Sequence, residues 1–256
     1  MSFKHIISRD NSLFKQLKRI ADSSRERRKL GETLLDGAHL VEAYLEAFGE
    51  PKLLIIPEGE STAEVTYLTQ QLADIPTVMF PTLMFQELAP VASPTGILAV
   101  VKTPNIPAPA ELDFVLMLED IQDPGNLGSM LRTAAAAGVD AVYLSEGCTD
   151  AWSPKALRGG QGAQFLLPIV ERANLVEFAH AFEGQVLATT LNGTFIYAMD
   201  MTVPTAIAIG NEGNGLSDAL QEAATYQVTI PIAGVESLNA AAATSICLFE
   251  RVRQKL

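Results

Sequence analysis

The feature that most constrains this chain is a set of short, almost uninterrupted apolar runs, among them KLLIIP, GILAVVK, FVLMLE, QVLATTL and TAIAIGN. A strand with one wet face alternates polar and apolar residues, whereas a run without alternation is buried on both faces. Helical spacing recurs between the runs, at 10–29, 38–48, 62–72, 82–88, 127–137, 153–158, 174–183, 216–223 and 237–253. Shorter strands are expected at TVMF, DAVYL and YQVTIPI, and TLLDG separates the first two helices. Alternation of this kind predicts an α/β protein, and after residue 113 a mainly parallel sheet covered by helices on both faces. The proline-rich stretch TPNIPAPAELD interrupts it and suits an exposed, stiffened linker. Two domains are therefore expected, 1–102 and 113–256, joined by a linker at 103–112.

With 256 residues, 48% of them hydrophobic, the chain can bury a sizeable core. No run reaches the roughly 18 apolar residues of a membrane helix, and the start, MSFKHIISRD, lacks a secretory signal, so a cytoplasmic location is expected. Two cysteines, Cys148 and Cys247, support neither a disulfide framework nor a zinc ribbon and read as buried thiols. His5, His39 and His180 lack metal-ligand spacing, so no metal is expected.

The net charge of −12 argues against a polyanionic partner, but the charge is unevenly spread. Residues 1–29 hold nine lysines and arginines against three acids, which makes a basic arm on an acidic body. Such an arm is either a solvated helix face or a polyanion contact.

Ligands of parallel α/β sheets bind beyond the carboxyl ends of the strands. Three strand exits after the linker are unusual: LEDIQDPGNLGSMLR, IGNEGNGL and IPIAGVESLNAAAA. The chain has no Gly-Lys pair and no GxGxxG after a strand, which excludes a Walker A loop and a dinucleotide fingerprint. A glycine-rich exit without lysine suits a ligand held by backbone groups and carrying no phosphate. In the first exit, Pro124 and Gly125 make a turn, Asn126 is a candidate helix N-cap, and Gly138 suits the C-terminal cap. Ala134–Ala137 and Ala240–Ala243 make two thin helices, which suggests a crowded junction beneath the site.

DPGNLGSMLRTAAAAG, IGNEGNGL and IPIAGVESLNAAAATSICLFE resemble, in order and internal spacing, the three motifs of the SpoU/TrmH family of RNA ribose 2′-O-methyltransferases, of the SPOUT superfamily. The segment with SRDNSLFKQLKRI and LLDGAHLVEA is similar to the ribosomal-protein-like RNA-binding domain that many members carry. The resemblance implies a C-terminal trefoil knot, S-adenosylmethionine as methyl donor, RNA as substrate with ribosomal RNA favoured over transfer RNA, and a homodimer paired through the C-terminal domain. It places Asn126, Arg132, Glu212, Ser237 and Asn239 at the catalytic centre. Donor contacts fall to Leu191, Gly210, Asn211, Glu212, Gly213, Ile230, Ile232 and Leu238. RNA contacts are expected from Arg25, Arg27, Arg28 and Lys29. Where the family commonly reads Ser-Leu-Asn-Val-Ser, this chain has Ala240 and Ala241 after Asn239. Two alternatives stay open at this level: an RNA-binding protein without turnover, and a base methyltransferase of the same superfamily.

Overall fold

The computed structural model describes residues 3–89 and 95–256. In chain order the first half comprises β1 (Lys4–His5), α1 (Ser12–Asp22), α2 (Ser24–Leu30), β2 (Glu32–Asp36) and α3 (Ala38–Phe48), then β3 (Leu53–Pro57), α4 (Ala63–Gln71), β4 (Thr77–Phe80), α5 (Thr82–Leu88) and β5 (Leu98–Lys102). The second half comprises β6 (Phe114–Leu118), α6 (Pro124–Ala137), β7 (Ala141–Leu144), α7 (Pro154–Gly160), β8 (Ile169–Val170) and α8 (Leu175–Ala181). It ends with β9 (Gln185–Phe195), β10 (Thr205–Ile209), α9 (Asp218–Ala223), β11 (Tyr226–Thr229) and α10 (Ala240–Gln254).

The chain divides into two compact units, one of Met1–Pro104 with Trp152–Phe165, the other of Asn105–Ala151 with Leu166–Leu256. The continuous second domain expected from the sequence is thus interrupted, because the segment carrying α7 packs with the first unit. Thr33 Oγ1 donates to Trp152 O at 2.6 Å, and the buried Asp36 carboxylate takes Arg158 Nη1 at 2.7 Å. Phe165 meets the rings of Tyr44 and Phe48 edge-on, with centroids 5.6 and 6.0 Å away.

The sheet of the first unit has the order β1-β4-β3-β5-β2, with β5 antiparallel to both its neighbours. The helix expected over 10–29 is two helices. Ser23 is extended, with φ −122°; its N–H donates to Arg19 O to end α1 and its Oγ accepts from Glu26 N to start α2. Arg27 reaches back from α2 and donates through Nη1 to Ile20 O and Ala21 O, at 2.7 and 2.9 Å, satisfying carbonyls that the last turn of α1 leaves open.

The sheet of the second unit is parallel throughout, in the order β11-β9-β10-β6-β7-β8. Every residue of β6 and β10 is buried. Successive side chains of a strand point to opposite faces. Val115 and Met117 pack with Leu175 and Ala179 of α8 and Leu220 of α9, while Phe114 lies under the Arg251 guanidinium of α10. Helices on both sides are the reason the strands show no alternation. α6 and α10 pack against each other, with Thr133 Oγ1 and Ser245 Oγ 3.3 Å apart; of the two alanine runs Ala134, Ala240 and Ala241 are buried, whereas Ala136 and Ala242 are exposed. Ala241 is buried there and accepts the Ser245 hydroxyl on its carbonyl. Two-residue β1 and β8 are too short to leave a pattern in the sequence. No described helix is long and apolar enough to cross a membrane.

Candidate functional site

The site is built where β6, β9, β10 and β11 end. The helix N-cap expected at Asn126 is instead Asp123, whose Oδ1 accepts from Asn126 N at 2.8 Å, with Pro124 as the first helical residue. Asn126 therefore sits inside the first turn with its side chain free of capping. At the other end Gly138, in the left-handed region at φ 73°, closes α6 as expected.

The exit of β10 folds on itself. Asn211 N donates to Gly215 O at 3.0 Å and Gly215 N to Asn211 O at 2.9 Å, while Asn211 Oδ1 accepts from Gly213 N and Asn214 N. A Cβ on Gly210 would lie 2.2 Å from the carbonyl carbon of Gly215, so only glycine lets the loop close. The turn brings Glu212 to the start of α6. Its carboxylate accepts Asn126 Nδ2 at 3.1 Å, Gln122 N at 3.3 Å and Asp123 N at 3.4 Å. Partial burial pushes Glu212 upward, but the Asn126 amide and these backbone N–H groups together outweigh it and hold the carboxyl below its usual range.

Asn239 caps α10, its Oδ1 accepting from Ala241 N at 2.9 Å and Ala242 N at 3.2 Å, and its Nδ2 donates to Asn126 Oδ1 at 3.2 Å. Asn239, Asn126 and Glu212 thus form one directed chain across three motifs. Arg132 is not part of it. Six residues along α6 turn it about 120° away from Asn126, and it is exposed, without hydrogen bond or ion pair among the described residues.

Beside this chain lies an open cavity of 670 Å³. All eight residues expected to contact the donor line it, and so does Ser237. Sequence reasoning missed Thr189, Gln221 and Thr229 of its wall, and the backbone donors of Gln122 and Asp123. The Asp-Pro pair before α6 was a readable cap signal; the wall residues carried none. Among the described residues, the only charged side chains in the lining are Glu212 and Glu236, so these walls offer no cation to a phosphate.

Counted along the sequence, the second unit holds five lysines and arginines against seventeen acids, a formal charge of −12, and the first unit is formally neutral. Arg172, Arg251, Arg253 and Lys255 each pair with a carboxylate, which leaves Arg132 as the unit's one cation without such a partner among the described residues. In the first unit Arg9, Lys15 and Lys18 are paired with Glu87, Asp10 and Asp22. Of the expected RNA contacts, Arg25, Arg28 and Lys29 are exposed on α2. Arg27 is corrected: it is 5% exposed and fastened to α1, so its charge does not reach a ligand.

Residues 113–249 match the model of the SpoU rRNA Methylase family. The 23S rRNA (guanosine(2553)-2′-O)-methyltransferase RlmP of Bacillus subtilis is 34% identical, the alignment covering 96% of this chain and 98% of the relative. The 23S rRNA (uridine(2479)-2′-O)-methyltransferase of Streptomyces viridochromogenes is 31% identical over 99% of this chain and 93% of its own. Among solved structures, the SpoU methyltransferase AviRb of Streptomyces viridochromogenes in complex with the cofactor AdoMet superposes with a TM-score of 0.82 at 28% identity, covering 96% of this chain and 99% of that one. Two motifs that line one cavity, a third that is hydrogen-bonded to both, and a family model that matches residues 113–249 give the same answer: the chain belongs to the SpoU rRNA methylase family.

Proposed function

We propose that this protein is a cytoplasmic enzyme that transfers a methyl group from S-adenosylmethionine to a ribose 2′-hydroxyl of ribosomal RNA. In this reading it works as a homodimer paired through the second unit, whose parallel sheet carries a trefoil knot, and the first unit is a ribosomal-protein-like RNA-binding domain. The observation that carries the reading is the directed chain Asn239–Asn126–Glu212 beside a cavity without cations, in a unit whose one unpaired cation among the described residues is Arg132.

The cavity suits the donor chemically. Its volume lies within the range of about 300–1,000 Å³ typical of small-ligand sites, it presents backbone groups of a glycine loop, and its charge is negative. S-adenosylmethionine has no phosphate and carries a sulfonium, so neither lysine nor arginine is needed to hold it. When bound it supplies an electrophilic methyl group. Gly210, Asn211 and Gly213 would hold its adenosine part through backbone contacts, with Leu191, Ile230, Ile232 and Leu238 against its apolar surface.

The 2′-hydroxyl is a poor nucleophile until its proton leaves. A guanidinium stays protonated in proteins, so Arg132 is not the base. It holds the phosphate next to the target ribose and stabilises negative charge developing on the 2′-oxygen, while phosphate or water takes the proton. Glu212 fixes the Asn126 amide, and Asn126 and Asn239 with Ser237 orient the nucleotide. RNA is gripped from α2 by Arg25, Arg28 and Lys29.

The test is transfer of labelled methyl from S-adenosylmethionine to ribosomal RNA and to transfer RNA, each from cells lacking this gene, with nucleoside analysis of the product. A 2′-O-methyl nucleoside in ribosomal RNA is the expected result; a methylated base would overturn the reading. Arg132→Ala should lower kcat by about two to three orders of magnitude with donor affinity unchanged. Full turnover in that variant would remove Arg132 from the mechanism.

A further inference from the structure

The donor loop between Ile209 and Ser217 is clasped at both ends by one residue outside the three motif assignments. Glu119, the residue after β6, donates its backbone N–H to Ile209 O at 2.9 Å, where the loop begins. Its carboxylate takes both polar groups of Ser217, where the loop ends: Ser217 N reaches Oε2 at 2.7 Å and Ser217 Oγ reaches Oε1 at 2.8 Å. Two further ties secure the middle, from Asn211 Nδ2 to Asp120 O at 2.7 Å and from Gln122 and Asp123 N–H to Glu212. Ser217 also caps α9 through Oγ, so Glu119 fixes the first turn of the helix that supplies Gln221 to the cavity wall. Glu119, Ser217, Asn211 and Asn214 also border a recess of 440 Å³ beside the loop.

Resting on the donor reading above, we propose that Glu119 is a positioning residue: by holding Ser217 against the exit of β6 it keeps the Gly210–Leu216 loop in its donor-binding form, and so sets the affinity for S-adenosylmethionine without touching it. Two acceptors on one rigid group are what the pair of Ser217 donors requires. A glutamine keeps one acceptor for Ser217 N–H and can donate its amide to Ser217 Oγ, so it preserves part of the clasp; alanine preserves none.

Calorimetric titration of S-adenosylmethionine into the full chain tests this, with wild type, Glu119→Ala, Glu119→Gln and Ser217→Ala compared. Removal of a charge-assisted, two-point clasp should weaken donor binding about tenfold in Glu119→Ala and about threefold in Glu119→Gln. Ser217→Ala removes the Oγ half of the clasp together with the α9 cap, so its effect on donor affinity should be smaller in the Glu119→Ala background than in wild type, and the lost cap should lower the Tm in both. The KM for the donor should rise in step, while kcat at saturating donor and the affinity for RNA stay within about twofold of wild type. Wild-type donor affinity in Glu119→Ala overturns the proposal. So does a loss shared equally by donor and RNA, accompanied by a lower Tm and not recovered by glutamine, since that is general destabilisation. Wild type that binds no S-adenosylmethionine overturns the functional reading instead, a result distinct from either.

Discussion

At the scale of single residues, the site is a chain of forced hydrogen-bond directions. Asn239 Oδ1 is taken by two backbone N–H groups, which turns Nδ2 towards Asn126; Asn126 must then accept on Oδ1 and donate from Nδ2, and a carboxylate is the acceptor that meets it. An ionised Glu212 completes this polarity and a protonated one weakens it. Because the donors around Glu212 hold its carboxyl below the usual range, the stabilisation it provides is present at and above that range and is lost only as the pH falls through the lowered value. The 13C titration of its side chain should therefore have a midpoint below the reference of about 4.3 for glutamate. A midpoint at or above the reference would contradict the relay. Asn126→Ala should move the midpoint back up.

At the scale of elements, each motif residue does its work through the helix or loop that carries it. α10 begins where Asn239 caps it, and the same side chain reaches Asn126, so structure and function share one amide. The two roles separate experimentally. Serine caps a helix about as well as asparagine, so Asn239→Ser should leave stability within about 0.5 kcal/mol. It lacks the second donor and should lower methyl transfer about tenfold, because the hydrogen bond that positions Asn126 in the transition state is gone. Asn239→Ala should lose the transfer and, in addition, about 1 kcal/mol of stability. Full activity in the serine variant would show that the link to Asn126 is dispensable. The position of Ala241 follows from the same element: it is buried in the α6–α10 junction, where hydroxyls come from Ser245 and Thr133 instead.

At the scale of the whole molecule, charge is divided between the units. The −12 lies in the second and the first is formally neutral, so a phosphate chain meets few open cations. Three of the nine cations of the basic arm, Arg9, Lys15 and Lys18, are held in surface ion pairs and Arg27 is buried, while Arg25, Arg28 and Lys29 stand exposed together on α2. Combined replacement of Arg25, Arg28 and Lys29 by alanine should flatten the dependence of log K on log salt by about 0.7–0.9 for each phosphate that is no longer neutralised. Arg27→Ala should leave that slope unchanged and lower the Tm, because it uncovers the Ile20 and Ala21 carbonyls. A slope change in Arg27→Ala equal to that of its neighbours would reverse the assignment.

The unbroken apolar runs sufficed for the parallel sheet of the second unit, because burial on both faces removes the polar half of each strand. The spacing of the three motifs sufficed for the family, and Gly138 was legible as the cap of α6 because glycine adopts its left-handed φ of 73° at least cost. Other features depended on groups distant in sequence. A proline-rich stretch marks a boundary but says nothing of a later segment returning, so the packing of Trp152–Phe165 with the first unit rests on Asp36, Thr33 and Tyr44, more than a hundred residues away. A basic run shows charge but not its pairing, so Arg27 looked like its neighbours until the break at Ser23 gave it two carbonyls to close. Asn126 looked like a cap because its hydrogen-bonding partners, Glu212 and Asn239, lie 86 and 113 residues along the chain. What the sequence determined by itself was the chemistry available at each strand end; which groups meet was decided by the tertiary structure, because a hydrogen bond needs a partner placed to within a few tenths of an ångström and local sequence does not carry that distance.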